Sequence, residues 1–582
     1  MLKILQKFGL DERTYLILLA VVVGLLGGIG NIIFRTSVIF FHILIQDWFG
    51  GVLGFSRKGL LVFMTPLFPM IGSILLIPLA LIFKDEVYGY RFPLFLENLN
   101  LKGGIIKKRS LIPKFLAPAI TIGSGGSAGV EGPIAQIGGT IGSAVGQYLK
   151  LSGIRMRSLI ACGSAAGIAA TFNAPITGIL FAVEIILLGD LELGSFGAIV
   201  ISSGIATVIS RAVYGTHPAF NVPQYELKNF GELIFYIIFG IILGFLSVVY
   251  IHMFYGIKGI FEKLSINQHV KPILGAFLFG IIAILFPQIM GNGYEYIQKS
   301  LYGEFAIWTM LMLAFFKIIG TSLVLGSGGA GGVFGPALYV GAMMGGFYGG
   351  VVNHIFPDLA YSPNSYAMVG MGAFLAALVH APLTVIFLLF EMTGSHIIVL
   401  PIMFSSIAGI VVAKVFNENS IDTEELGRKG IDLHSGREAS IMNSFLVKDV
   451  MQRDVVTIPE NMPLRDILNF IPTTRHDYFP IVNREGEMTG IMSLQDIRFV
   501  IFEEGLGELV VAKELATEKV ITVTPLDNLS IAIERFGIKN IESLPVVDTD
   551  NLKKVIGFVR RVDVIRAYNM EVIRRFKRGR IN

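Results

Sequence analysis

Between residues 14 and 416 the chain alternates long apolar stretches with short polar breaks. The stretches include 14–34, 60–83, 158–188, 194–213, 232–255, 271–288, 305–325 and 366–393. Runs close to 20 residues predict membrane-spanning helices. Several are broken by Gly or Pro at matching places in two halves, about 14–215 and 230–416. That pattern predicts discontinuous helices meeting near the membrane midplane. Non-helical backbone survives at that depth only where it is buried or lines a cavity. From about Asn417 the pattern changes. Asp422, Glu424, Glu425, Arg428 and Lys429 open a polar linker, placed at 417–443, and short apolar strands then alternate with amphipathic helices. This second region, 444–582, predicts a soluble α/β module.

Both regions are duplicated. Gly123-Ser-Gly-Gly-Ser-Ala-Gly-Val-Glu131-Gly-Pro133 returns as Gly326-Ser-Gly-Gly-Ala-Gly-Gly-Val-Phe334-Gly-Pro336, identical at eight of eleven positions. Asn173-Ala-Pro175-Ile-Thr177, running on to Glu184, returns as His380-Ala-Pro382-Leu-Thr384, running on to Glu391. Order and an offset of just over two hundred residues are both kept, which marks an internal repeat. In the tail, Val455 to Ile458, Tyr478 to Val482 and Gly490 to Asp496 recur as Val520 to Val523, Ser543 to Val547 and Gly557 to Asp563.

The repeated Gly-rich unit has readable chemistry. Glycines leave successive backbone N–H groups open to a ligand, and proline then sits where a helix begins. A Gly-rich loop entering a helix N-terminus is an anion site, because orphan N–H groups and the positive dipole end converge there. The competing reading is close helix packing through small residues. Two copies, one with a glutamate at the junction, favour the anion site.

Composition narrows the class. The 582 residues are 53% hydrophobic and 15% charged, with a mean hydropathy of +0.68; soluble proteins carry roughly 25% charged residues. A net charge of +4 gives no reason to invoke nucleic acid. The lone Cys162 lies in an apolar stretch, so a buried thiol is expected. No removable leader is evident, and the run from Thr14 reads as a retained span. Lys3, Lys7 and Arg13 favour a cytoplasmic N-terminus. The basic tail from Arg574 to Arg580 reads as a solvated end able to touch anionic lipid.

On these motifs the membrane region resembles the CLC family of chloride channels and chloride/proton exchangers, and the tail resembles a pair of CBS domains. The resemblance implies an all-α polytopic membrane bundle, an inverted repeat of about eighteen helices. An α/β CBS pair at about 447–502 and 512–570 follows it. It further implies a homodimer in the lipid bilayer with a separate pore in each subunit, carrying chloride or a similar anion together with protons. A prokaryotic plasma membrane, with the CBS pair and both termini cytoplasmic, is the expected location.

Carried onto matching positions, Glu131 falls on the family's external gating glutamate. A carboxylate inside a membrane is costly and functional by default. Gly129 and Gly132 flank it, and Val333, Phe334 and Gly335 fall on the second anion-coordinating loop. The chain departs from the family pattern at four places. The coordinating serine becomes Tyr90, within Gly89-Tyr90-Arg91-Phe92-Pro93, and the pore tyrosine falls on Asp422. The internal carboxylate of many exchangers falls on Ile185, and Val130 replaces the basic residue before the gating glutamate. Tyr90 keeps a hydroxyl donor on a longer arm and is a candidate to supply the lost phenol, with Arg91 near enough to pair with Asp422 or the anion. An ionised Asp422 beside an anion must be paired, protonated or turned away. A shift of one or two residues in the linker is the alternative.

Glu184 is a candidate proton carrier; for it and Glu391, helix-end hydrogen bonding is the competing structural role. In the tail, Ser493 and Asp496, with Arg560 and Asp563 in the second copy, fall on positions that contact an adenine nucleotide (ATP, ADP or AMP). A ligand-free dimerising module is the competing role. No cofactor is otherwise required and no metal site is expected. An enzyme is set aside: Gly326-x-Gly328-x-x-Gly331 matches a dinucleotide fingerprint but lacks a βαβ setting. A ligand-sensing membrane receptor is the rival of another class. Within transport, exchanger and passive voltage- or pH-gated channel both stay open, with Glu131 favouring exchange and Ile185 favouring a channel.

Overall fold

The computed structural model describes residues 12–54, 59–84, 86–151, 153–190, 193–216, 231–357, 363–433, 445–474, 476–498, 507–538 and 541–570, with a few isolated positions between. Lys3, Lys7, the middle of the linker and the Arg574 to Arg580 tail lie outside the described residues. The chain divides into two compact units, Met1–Gly427 and Arg428–Asn582.

The first unit is helical. Its longer helices are α1 (Glu12–His42), α2 (Leu67–Ile82), α3 (Phe92–Asn100), α4 (Leu111–Gly123), α5 (Glu131–Tyr148), α6 (Ile154–Phe172), α7 (Pro175–Phe181) and α8 (Leu193–Tyr214) in the first half. The second half holds α9 (Glu232–Lys263), α10 (Lys271–Leu285), α11 (Tyr294–Leu301), α12 (Ile307–Ser327), α13 (Phe334–Ile355), α14 (Pro363–Val379), α15 (Pro382–Thr393) and α16 (Val399–Phe416). Six segments among the described residues are long and apolar enough to cross a membrane, among them Glu232–Lys263 and Ile307–Ser327. Others are too short, as broken spans require.

The breaks follow from local chemistry. Asn173 and His380 both adopt a left-handed backbone, φ 59° and 58°, which ends the preceding helix. Alanine follows each, and Pro175 or Pro382 then opens the next helix, where the missing N–H costs nothing. A reciprocal glycine crossing joins the helix pairs. A Cβ at Gly138 of α5 or Gly163 of α6 would overlap the other's carbonyl, and Gly341 of α13 and Gly370 of α14 stand in the same relation. Close backbone approach through glycine replaces the hydrophobic drive that lipid does not supply. Cys162 is fully buried on α6.

The second unit is built from two similar halves. Strand β1 (Ile458–Pro459) pairs parallel with β2 (Tyr478–Val482), which pairs antiparallel with β3 (Met488–Ser493). In the second half β4 (Ser543–Val547) pairs antiparallel with β5 (Val555–Arg560). The halves exchange edge bonds with segments distant in sequence: Ile491 pairs with Thr517, and Phe558 with Gln452 at 2.8 Å in both directions. The outer edges of β3 and β5 are thereby covered.

Gly163→Val forces a side chain into the Gly138 backbone, so a loss of about 3 kcal/mol or more is expected. Gly194→Ala, where a Cβ meets nothing within 4 Å, is expected to stay within about 0.5 kcal/mol of wild type. Thermal melts of detergent-solubilised protein check both.

Candidate anion and proton site

The two Gly-rich loops pair with each other. Gly129 N–H donates to Gly332 O at 2.7 Å, and Gly332 N–H donates back to Gly129 O at 2.8 Å. Each loop is also tied from outside. Gly291 N–H donates to Gly125 O and Gly89 N–H to Gly328 O, both at 2.9 Å. Gly125 and Gly328 have φ of 95° and 125°, which glycine adopts without a steric penalty. Ser127 and Thr321 hydroxyls meet at 2.8 Å, and Ala330 N–H reaches Thr121 Oγ1 at 3.2 Å.

This pairing aims the N-termini of α5 and α13 at one point, and Glu131 fills it. Its side chain is fully buried. Oε2 accepts from Gly335 N–H at 3.1 Å, and Oε1 accepts from the Tyr294 hydroxyl. A carboxylate of one half thus sits where N–H groups of the other half point. Gly129 cannot carry a side chain, because a Cβ would collide with Glu131 Oε2 and lie 2.8 Å from Gly335 N. Gly132 faces Gly332 across the same gap. Val333 precedes α13, and Phe334 begins it; both are buried.

Tyr294 is placed by a buried cation. Lys317 Nζ, in the middle of α12, donates to Ile289 O and Gly291 O at 2.8 Å and lies 4.9 Å from the Tyr339 ring centroid. It fixes the turn from which α11 starts at Tyr294. A cavity of about 480 Å³ opens beside this point, bordered by Asn31, Arg35, Val130, Tyr214 and Tyr294 among others. The Arg35 guanidinium stacks 4.2 Å over Tyr214, so this cavity has a cation although residue 130 is valine.

From Phe334 a row of rings leads away from Glu131. Phe334 meets Phe181 at 5.9 Å between centroids, Phe181 meets Phe92 at 6.3 Å, and Phe92 stacks on Tyr90 at 6.5 Å. The Tyr90 hydroxyl then donates to Asp422 Oδ1, and both residues are buried. Tyr90 and Asp422, two of the positions expected to depart from the family pattern, therefore meet. Asp422 lies in the connection after the last membrane-spanning helix. Its neighbour Ile421 is fixed by an N–H bond to Leu378 O at 3.1 Å and by the Tyr255 hydroxyl on its carbonyl at 2.8 Å. Arg91 donates to Tyr88 O at 3.4 Å and borders a small pocket shared with Glu86, Lys114 and Gln136.

Glu184 and Glu391 cap helices of the opposite half. Glu184 accepts from Leu383 N–H at 3.1 Å, and from Thr384 N–H and Oγ1 at 2.6 and 2.7 Å. Glu391 accepts from Ile176 N–H at 3.0 Å, and from Thr177 N–H and Oγ1 at 2.7 Å each. Both oxygens of each carboxylate are thereby committed, complementing the positive helix end. Ile185 is buried.

In the second unit the candidate nucleotide residues bond locally. Asp496 Oδ2 accepts from Ser493 N–H and Oγ, both at 2.7 Å. Asp563 accepts from Arg560 Nε at 2.8 Å and from Gln452 Nε2 at 2.9 Å. Tyr294, Lys317 and the exchange of helix caps between halves were not evident from sequence. No motif marks the first two, although Lys317 does interrupt an otherwise apolar run, and a lone charge there was the available signal.

A polytopic helical bundle whose two halves present helix N-termini to a buried carboxylate is a membrane protein built to conduct a small anion. The family model described as voltage gated chloride channel matches residues 72–414, and that for the CBS domain matches 447–503 and 512–569. The chain belongs to the voltage gated chloride channel family, CLC, and carries two CBS domains.

A ClcB-like chloride channel protein of Ralstonia nicotianae is 33% identical over 342 residues, 58% of this chain and 80% of that one. The H(+)/Cl(-) exchange transporter ClcA of Vibrio campbellii is 30% identical, covering 70% of this chain and 88% of that one. Among solved structures, a slow cyanobacterial Cl-/H+ antiporter superposes with a TM-score of 0.65 at 25% identity, over 72% of this chain and 98% of its own. A eukaryotic CLC transporter shares the fold over 94% of this chain, with a TM-score of 0.60 at 18% identity.

Glu184→Gln and Glu391→Gln each replace a charged cap by a neutral one. Each is expected to cost about 1 kcal/mol. Melting temperature checks this, with Thr384→Val expected to lower it in the same direction.

Proposed function

We propose that this chain exchanges chloride, or a similar small anion, for protons, with Glu131 as the gating and proton-coupling group. The observation that carries the reading is the double hold on Glu131 by Gly335 N–H and the Tyr294 hydroxyl. The ionised carboxylate takes the place of an anion at paired helix N-termini. Protonation removes its charge, frees Gly335 N–H, and lets a mobile anion enter against the N–H groups around Gly129, Gly132, Val333, Phe334 and Gly335. Tyr90 and Asp422 form the other end of the path. Relatives that exchange protons and chloride, in Vibrio and in the cyanobacterial structure, support this reading.

The passive channel is the second reading, favoured by Ile185 and by the commitment of Glu184 to a helix cap. The chain further acts as a homodimer in our reading, with exposed apolar residues of α16 such as Phe404, Ile407 and Val411 available to a partner or to lipid. The CBS pair is cytoplasmic and regulatory. An adenine nucleotide there would take ribose contacts from Asp496 and Asp563 and hydroxyl contact from Ser493, with Arg560 turning from Asp563 to phosphate.

The test is anion efflux from proteoliposomes with simultaneous external pH recording, for wild type and Glu131→Gln. Chloride-driven proton movement against its gradient, abolished in the mutant, is the expected result. Chloride efflux with no proton movement in wild type would replace exchange by the channel reading.

A further inference from the structure

Ionisable side chains buried inside a membrane protein mark proton relays. Among the described residues of the first unit, the buried carboxylates are Glu131, Glu232, Asp422 and Glu424. Glu232 opens α9 and accepts from Tyr236, which also meets Ser365. Glu424 accepts from Asn417 Nδ2 at 3.2 Å. Neither stands on the row of rings that leads to Glu131. Asp422 does, through Tyr90, Phe92, Phe181 and Phe334. Glu131 and Asp422 are also built alike, each holding a tyrosine hydroxyl on one carboxylate oxygen.

We propose that Asp422, positioned by Tyr90, is the proton-loading group at the end of the anion path opposite Glu131, the role for which residue 185 offers only isoleucine. The inference rests on the exchange reading. A proton from the aqueous side adds to the Asp422 carboxylate and gives the neutral acid. The same proton then passes through water in the path to the Glu131 carboxylate. Asp422 is ionised again, and no other bond changes. In its neutral form Asp422 no longer repels an anion beside it, so loading and anion passage share one group.

The surroundings suit that task. Tyr90 donates to the carboxyl, and Tyr250 and Tyr255 of α9 are the phenols nearby. Glu424 and Glu425 lie on its own segment, and Lys258 of α9 is paired with Glu425 at 2.6 Å. Burial pushes the Asp422 carboxyl up to about 6, while the Tyr90 hydrogen bond acts the other way. A group there gains and loses its proton near neutral pH, as a carrier must. Removing the Tyr90 hydroxyl takes away the lowering influence, so the carboxyl titrates at higher pH.

The experiment measures chloride-driven proton movement and anion efflux in proteoliposomes for wild type, Asp422→Asn, Asp422→Glu and Tyr90→Phe, each as a function of symmetric pH. Loss of proton movement per anion in Asp422→Asn, with coupling kept in Asp422→Glu, is the expected result. Tyr90→Phe is expected to move the pH midpoint of proton movement upward. Coupling in Asp422→Asn equal to wild type would overturn the proposal and leave the exchange reading intact. Should Asp422→Asn give no efflux, the Tyr90→Phe midpoint decides: an upward shift supports the proposal and an unchanged midpoint overturns it. A wild type that moves no protons would overturn the exchange reading and this inference with it.

Discussion

The two hydrogen bonds between Gly129 and Gly332 set the geometry on which the site depends. They join the loops of both halves back to back, so that α5 and α13 begin within reach of the same carboxylate. Backbone polar groups in a membrane interior must be satisfied inside the protein. The pairing does this for both loops while leaving Gly335 N–H for Glu131. It also explains the glycine content, since a side chain at Gly129 would occupy the carboxylate's own position.

The duplication supplies a scaffold, and the copies differ at the candidate site. Gly163 and Gly370 make the same helix crossing, Asn173 and His380 the same left-handed turn, and Glu184 and Glu391 the same cap exchanged between halves. At the loop–helix junction the symmetry stops, with Glu131 in one half and Phe334 in the other. One half therefore presents a charge, and the other presents N–H groups and a ring. A fully symmetric pair would put two carboxylates or two rings at one point, where the two halves instead present one of each.

Much of this was legible in the sequence because it is carried by local patterns. Apolar runs, Gly-rich junctions and Ala-Pro turns each report on a few adjacent residues, and their recurrence reports on the repeat. Glu131 was legible for the same reason. Tyr294 was not, since its role depends on a turn held by Lys317 and on closure of the second half over the first. The meeting of Tyr90 with Asp422 joins residues 332 positions apart, and spacing cannot establish such a contact. It could only be argued from what each had replaced. The exchange of caps between Glu184 and Glu391 was hidden likewise: a glutamate at the end of an apolar run reads as a local feature, whereas its partners lie in the other half.

The residues at positions 90 and 422 are best understood together, since the Tyr90 hydroxyl bonds the Asp422 carboxylate. On the resemblance to the family pattern, a tyrosine in place of serine at 90 alone would crowd its neighbours, and an aspartate in place of tyrosine at 422 alone would leave a buried charge without a donor, at a cost of several kcal/mol. Together, Tyr90 supplies a hydroxyl and gives the Asp422 carboxylate its partner. The pair does not recreate a neutral lining, because an aspartate can hold a proton where a phenol in the ordinary pH range merely donates one. With Glu184 committed to α15 and Ile185 apolar, the proton-loading role we propose falls to Asp422, which Tyr90 joins to the row of rings.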